Sequence, residues 1–295
     1  MTTALQQLID IATPSPIGDD RFKGVGSVDD GVDATFGGHL LGQAVSAATA
    51  TVDAGMRIHS FHAYFLRAGR PGQPFSLEVE RVRTGRRFAA RRVRVEQDEG
   101  RTQLEMMASF TAATTGPAHQ GLDAPDDLHS VPRPDELPRY GDLMAGLDPL
   151  PLPEAWARRD YGLDLRTVNA PWAPAGPSPH GGIRLWIRAD GELPADPGLH
   201  ASLLAYQSDE SLADNVAIPW GATWGSPGVE FVSLDHAMWF HRPVDLTDWL
   251  LLDQRPVVVT EGRGTARAEV WTASGTLVAS IVQEALFHID EQEEH

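Results

Sequence analysis

Apolar residues recur along the first third of the chain with two different periods. Between Phe36 and Val52, in FGGHLLGQAVSAATATV, they fall at Leu41, Val45, Ala48 and Val52, a helical spacing. The segment is nearly uncharged and rich in Ala, so it predicts a buried helix that neighbours approach closely. Gly37 and Gly38 mark its start, where first-turn N–H groups lack helical partners and a ligand can reach them. From Ile58 to Ala113 the period shortens to two. FHAYFLRAG, PFSLEVERVRTG, RRFAARRVRVEQDEG and TQLEMMASFTA predict strands separated by turn residues. The expected order is a buried helix followed by a strongly bent antiparallel sheet. Residues 1–30, with Pro14, Pro16 and several Gly, read as a loop-rich entry.

Residues 114–180 are dense in Pro, Asp and Gly and predict an inter-domain linker with a short helix near Pro153–Arg159. IRLWIRAD, Ile183–Asp190, closes it as a strand. The first pattern then repeats. Asp196 and Pro197 supply an N-cap and a first-turn Pro for a second helix, LHASLLAYQSDESLADNVA. EFVSLDHAMWFHRP, WLLLDQRPVVVTEG, GTARAEVWTASG and TLVASIVQEALFH follow as four strands. FHAYFLRAG is similar to DHAMWFHRP, and TGRRFAARRVRV to EGRGTARAEVWT. The halves read as two copies of one unit, a pseudo-dimer within one chain.

Composition narrows the partners. The net charge is -17, which argues against nucleic acid and anionic membrane surfaces. No stretch reaches the apolar length of a membrane span. MTTALQQLIDIATPSP lacks a basic start and a long apolar run, so no signal peptide is expected. The chain has no Cys, which removes disulfides, thiolate metal sites and a cysteine nucleophile, and suits a reducing cytoplasm.

Several stretches resemble the acyl-CoA thioesterase II family: FGGHLLGQA, HSFHAYFLRAG, GRRFAARRV and MASF in the first half. WIRADG, YQSD, SLDHAMWFHRP, the GR of TEGRG, and LVASIVQE carry it through the second. The resemblance implies an α+β double hotdog, two antiparallel sheets each wrapped around a central helix. The expected division is an N-terminal hotdog over 1–115, a linker over 116–180, and a C-terminal hotdog over 181–295. It implies hydrolysis of fatty acyl-CoA by water; a cytoplasmic location is expected with it, and no cofactor or metal is expected. An Asp, a hydroxyl residue and a Gln hold that water in the family. YQSD, SLDH and VQE map them to Asp209, Ser233 and Gln283. The family usually has Thr where this chain has Ser233, and Ser is less restricted at χ1.

The residues support this unevenly. Alternation puts Leu277, Ala279, Ile281, Gln283, Ala285 and Phe287 on one face of the last strand, with Gln283 its one polar member. A structural amide satisfied by backbone is the alternative. The matching first-half strand shows Leu104, Met106, Ala108 and Phe110 and no Gln, so chemistry is expected in the second half alone. Asp209 lies near the helix face of Leu203 and Tyr206, where burial raises a carboxylate pKa and suits a general base. An exposed or capping Asp beside Glu210 is the alternative. Ser233, placed by alternation with Phe231 and Trp239, is on its own an ordinary strand Ser.

Other features point less far. His59 and His62 form an HxxH pair on a strand without a third ligand, which favours a structural or pocket-lining role. Seven Arg between Arg81 and Arg94 suit CoA phosphates or a solvated strand pair equally. GVGSVDDG, Gly24–Gly31, lacks the flanking strand and helix of a dinucleotide loop. No G-x-S-x-G elbow occurs. Two rival readings remain: a non-catalytic acyl-CoA-binding protein, and a hotdog enoyl-CoA hydratase using an Asp–His pair such as Asp235–His236. Those adjacent strand residues should face opposite ways. A homo-oligomer is expected, a dimer ahead of a tetramer.

Overall fold

A computed structural model describes residues 2–26, 34–98, 100–125 and 128–290. The chain opens with helix α1 (Ala4–Ala12) and the hairpin β1 (Ser15–Gly18) and β2 (Arg21–Gly24). Helix α2 (Gly37–Thr49) follows, then β3 (Met56–Phe65), β4 (Phe75–Thr84), β5 (Phe88–Gln97) and β6 (Arg101–Ala112). Short helices α3 (Tyr140–Ala145) and α4 (Glu154–Ala157) lead to β7 (Leu163–Asn169), β8 (Arg184–Ala189) and helix α5 (Pro197–Ser208). The last strands are β9 (Val229–Ser233), β10 (Asp235–Phe240), β11 (Leu250–Thr260), β12 (Arg263–Thr272) and β13 (Leu277–Ile289).

The strands form one antiparallel sheet centred on the pair β3 and β10, with Ala237 opposite His62 and Met238 opposite Phe61. Outward from β3 run β6, β5, β4, β2 and β1; outward from β10 run β13, β12, β11, β8 and β7. The repeat legible in the sequence is therefore a repeat of topology, and the two halves fuse through main-chain bonds at their shared centre. Helices α2 and α5 pack against each other inside the curve. Gly42 permits that approach: a Cβ there would lie 3.2 Å from Ser202 O and from Tyr206 Cβ. Leu41, Ala44, Val45, Leu203, Leu204 and Ala205 are fully buried, as expected of helices apolar on most sides. The arrangement is a double hotdog.

Four local expectations change. The entry read as loop contains α1, whose N-cap Thr3 accepts from Gln6 N at 3.2 Å and whose Leu5, Leu8 and Ala12 are buried. It also contains β1 and β2. The segment read as linker contributes β7 to the sheet, paired with β8. The second helix stops at Ser208 rather than running to Ala217. Beyond it, the Asn215 amide donates to Ser211 O, Leu212 O and Gln254 Oε1 and accepts from Ile183 N, which pins the chain in tight turns. Pro219 then denies a continuing helix its N–H. Of GVGSVDDG, residues 27–31 lie outside the described residues. Among the described residues no helix is long and apolar enough to cross a membrane.

The fourth change bears on the site. EFVSLDHAMWF, read as one strand, is two. Ser233 pairs with Ala285, yet Ala237 pairs with Val282, so the three residues between on one side face two on the other. This one-residue bulge at Leu234 reverses the alternation. Ser233 therefore does not share a face with Trp239, which is exposed on the outer surface. It shares the inner face with His236, Met238 and Phe240, all buried.

Candidate active site

Asp209 is the C-cap of α5, and its buried carboxylate meets the first turn of α2. The Gly38 N–H donates to it. Two glycines are required here by close approach. A Cβ on Gly37 would lie 2.5 Å from Asp209 Oδ2, and one on Gly38 would lie 2.3 Å from Tyr206 O. Gln283, buried on β13, donates from Nε2 to Asp209 Oδ1 at 2.7 Å and to Ser233 Oγ at 2.8 Å. The three residues picked from the sequence, separated by up to 74 positions, thus meet at one amide nitrogen.

Burial pushes the Asp209 pKa up to about 7, against the opposing hydrogen bonds from Gln283 and Gly38; the neighbouring Glu210 adds to the rise. A carboxylate with that pKa is a base matched to neutral pH. Ser233 Oγ, accepting from Gln283, keeps a lone pair and its own hydrogen for another partner. Asp209 and Ser233 open onto a cavity of about 270 Å³ whose apolar wall includes Phe36, Trp156, Trp224 and Phe231.

Three further groups escaped the sequence reading. Glu210 and Asp214 also line the cavity. Burial raises both pKa values; Tyr161, Arg159 and Gln207 oppose the rise at Glu210, while the charges of Glu210 and Asp209 add to it at Asp214. Arg159, two residues beyond α4, lies 4.9 Å from the Trp156 ring and 5.5 Å from that of Tyr161. It donates to Tyr206 Oη at 2.5 Å. Its local partners Trp156 and Tyr161 do not mark it in sequence, because the ring cluster is completed only by Phe36 and Tyr206 from two distant segments.

The remaining candidates lie elsewhere. His62 pairs with Asp235 at 2.8 Å on the outer face, and His59 meets the ring of Phe88. Among the described residues no group of three or more His, Asp or Glu is arranged to hold a metal ion. Arg81 pairs with Asp20, Arg92 and Arg94 with Glu105, and buried Arg91 with Thr51. These four are engaged within the chain.

The double hotdog brings a buried carboxylate, an amide and a hydroxyl together beside an apolar cavity, and the proteins that share this sequence over most of its length define its class, the thioester hydrolases. Residues 27–111 match the acyl-CoA thioesterase N-terminal domain and residues 125–287 the acyl-CoA thioesterase C-terminal domain. The chain is 32% identical to acyl-CoA thioesterase 2 of Haemophilus influenzae, over 99% of this chain and 100% of that one. It is 31% identical to human acyl-coenzyme A thioesterase 8, over 87% and 81% respectively. The crystal structure of acyl-CoA thioesterase II TesB2 from Mycobacterium marinum superposes with a TM-score of 0.74 at 32% identity, covering 96% of this chain and 99% of that one. A hot dog-fold protein from Alicyclobacillus acidocaldarius, at 20% identity and a TM-score of 0.77, shares the fold. The chain belongs to the acyl-CoA thioesterase family.

Proposed function

We propose that the protein hydrolyses fatty acyl-CoA to the free acid and CoA, with Asp209, Ser233 and Gln283 as the catalytic residues. The observation that carries the reading is the Gln283 amide, whose one nitrogen ties a buried carboxylate to a hydroxyl at the cavity wall. Water held between Asp209 and Ser233 gives a proton to Asp209 as its oxygen attacks the thioester carbonyl. Ser233 and Gln283 fix the direction of approach. Gly37 lines the same cavity, so its N–H in the first turn of α2 is placed to steady the oxyanion, the Gly38 N–H being given to Asp209. The CoA thiolate departs with little need for acid assistance. The matching first-half strand presents Leu104, Met106, Ala108 and Phe110, all buried, so the unit of residues 181–295 carries the chemistry. Residues 1–115 act as its structural mate across the connecting segment 116–180.

Thiol release measured across acyl-CoAs from short to long chain tests the reading. Turnover of at least one chain length is expected, and tight binding without release at any length would make the protein a carrier. The hydratase alternative loses its Asp–His pair to geometry. Asp235 faces outward to His62 while His236 points into the core. Consumption of enoyl absorbance would revive it. Exposed Tyr64, Met107 and Trp239 cluster near the β3–β10 seam and favour a homodimer, with a tetramer as the alternative. A monomer in light scattering at micromolar concentration would exclude both. We place the reaction in the cytoplasm, which cell fractionation tests.

A further inference from the structure

His236 is fully buried directly beneath the water site, on the strand that follows the bulge. Its Nε2 lies 2.9 Å from Ser208 Oγ, on the last turn of α5, and its Nδ1 lies 3.8 Å from Asp209 Oδ1. Gln283 also acts on the ring as a hydrogen-bonding partner. The Gln283 nitrogen is fully committed, but its Oε1 is buried without a well-formed bond, and so is His236 Nδ1. Two orphaned atoms on interacting side chains are each other's remedy if one carries a proton.

The Ser208 hydroxyl decides which. It has one hydrogen and two takers, Ala205 O at 2.9 Å and His236 Nε2 at 2.9 Å. If the hydrogen goes to Ala205, the neutral ring carries its proton on Nε2. Bare Nδ1 then confronts a carboxylate and an amide oxygen, and both orphans persist. If it goes to Nε2, the proton sits on Nδ1 and Oε1 is satisfied, at the cost of one additional acceptor bond to Ala205. The second arrangement leaves fewer buried groups unpaired. Burial holds the ring neutral, with its pKa lowered to about 4, so a single proton must be placed.

We infer that His236 is a positioning residue for hydrolysis: its Nδ1–H holds Gln283 Oε1, so that the amide turns its NH2 edge to Asp209 and Ser233. An amide has two nearly isosteric orientations, and the reverse one would set its oxygen against the Asp209 carboxylate. Ser208 acts one step further back by fixing the tautomer. The role also explains the bulge, since strict alternation would put Ser233 and His236 on opposite faces. This inference rests on the Asp209–Ser233–Gln283 reading of the site.

The test combines nitrogen NMR of ¹⁵N-histidine-labelled protein with kinetics of three variants. The signal lost in His236→Asn should show the neutral Nδ1–H tautomer in the parent, and in Ser208→Ala the resonance of its bare Nε2 should move toward that of an unbonded ring nitrogen, because the hydroxyl that donates to it is gone. His236→Asn keeps a donor where Nδ1 stood and should hold kcat within about threefold. His236→Gln, whose amide reaches only the Nε2 position, should lower kcat about tenfold or more with KM little changed. An Nε2–H ring in the parent overturns the inference, as do Asn and Gln variants that lose activity alike while folded. Should His236→Asn not fold, the response of the labelled spectrum to Ser208→Ala decides: no change overturns the inference. Full activity in Asp209→Asn would instead overturn the water-site reading, whatever the tautomer.

Discussion

Asp209→Asn should abolish turnover and, above neutral pH, stabilise the fold. The physical reason is the burial of the charge. Raising an aspartate from its ordinary 3.8 to about 7 corresponds to about 4 kcal/mol of disfavoured ionisation. Below about pH 4 the carboxyl is protonated in the folded and unfolded chain alike, and the charge costs nothing. Between pH 4 and 7 the unfolded chain releases the proton while the folded chain keeps it, so stability falls as pH rises. Above pH 7 the cost is complete. Asn never carries it. Its single carbonyl, however, cannot accept as the carboxylate does from both Gln283 and Gly38, a loss of about 1–2 kcal/mol. The variant should thus be up to about 1 kcal/mol less stable than the parent near pH 4.5, where the parent has already lost about 1 kcal/mol, and about 2–3 kcal/mol more stable near pH 8.5. Removing the Asp209 charge also relieves Asp214, which acts in the same direction at high pH. Urea unfolding at the two pH values reads the crossover, and thiol release reads the loss of a general base, about 10²–10⁴-fold. A variant that turns over near the parental rate, or whose relative stability is the same at both pH values, refutes the assignment of Asp209 as a buried base.

Ser233→Ala removes one hydroxyl from the water site and should lower kcat about 2–12-fold, more than it raises KM. Ser233→Thr should keep or raise kcat in the same assay, because the added methyl narrows the rotamers of the hydroxyl. Gly37→Ala sets a methyl 2.5 Å from Asp209 Oδ2 and 2.9 Å from the Phe65 ring. It should cost about 1–3 kcal/mol and most of kcat, whereas Gly42→Ala, at 3.2 Å from Tyr206 and remote from the carboxylate, should reduce stability with kcat retained. Equal kinetics for the two Gly variants would show that the close approach at Gly37 does not shape the site. Arg184 and Asp253 form a buried pair with Nε to Oδ1 at 2.7 Å. Arg184→Met should lose about 3–5 kcal/mol in denaturant unfolding, and adding Asp253→Leu should recover most of it.

The sequence by itself determined the elements whose signal is local and repeated. Helix α2 is apolar on most sides, and β13 alternates with one amide on its buried face; both follow from periodicity alone. The duplicated order of helix and strands specified two like units, and the motifs YQSD, SLDH and VQE singled out three residues that proved to be neighbours. What it did not reveal depends on partners distant in the chain. Strands β1, β2 and β7 lie at the ends of the sheet, where pairing with β4 and β8 supplies the order that their short, Pro- and Gly-flanked sequences lack. Helix α5 ends at Ser208 because Asn215 finds Gln254 and Ile183, bonds that no window of neighbouring residues contains. The face on which Ser233 lies was decided by a bulge defined only by pairing with β13, since a one-residue slip exchanges every side chain between faces. The pKa of Asp209 follows the same rule: its value comes from the cavity wall, Gly38 and Gln283, which only the folded chain brings around one carboxylate.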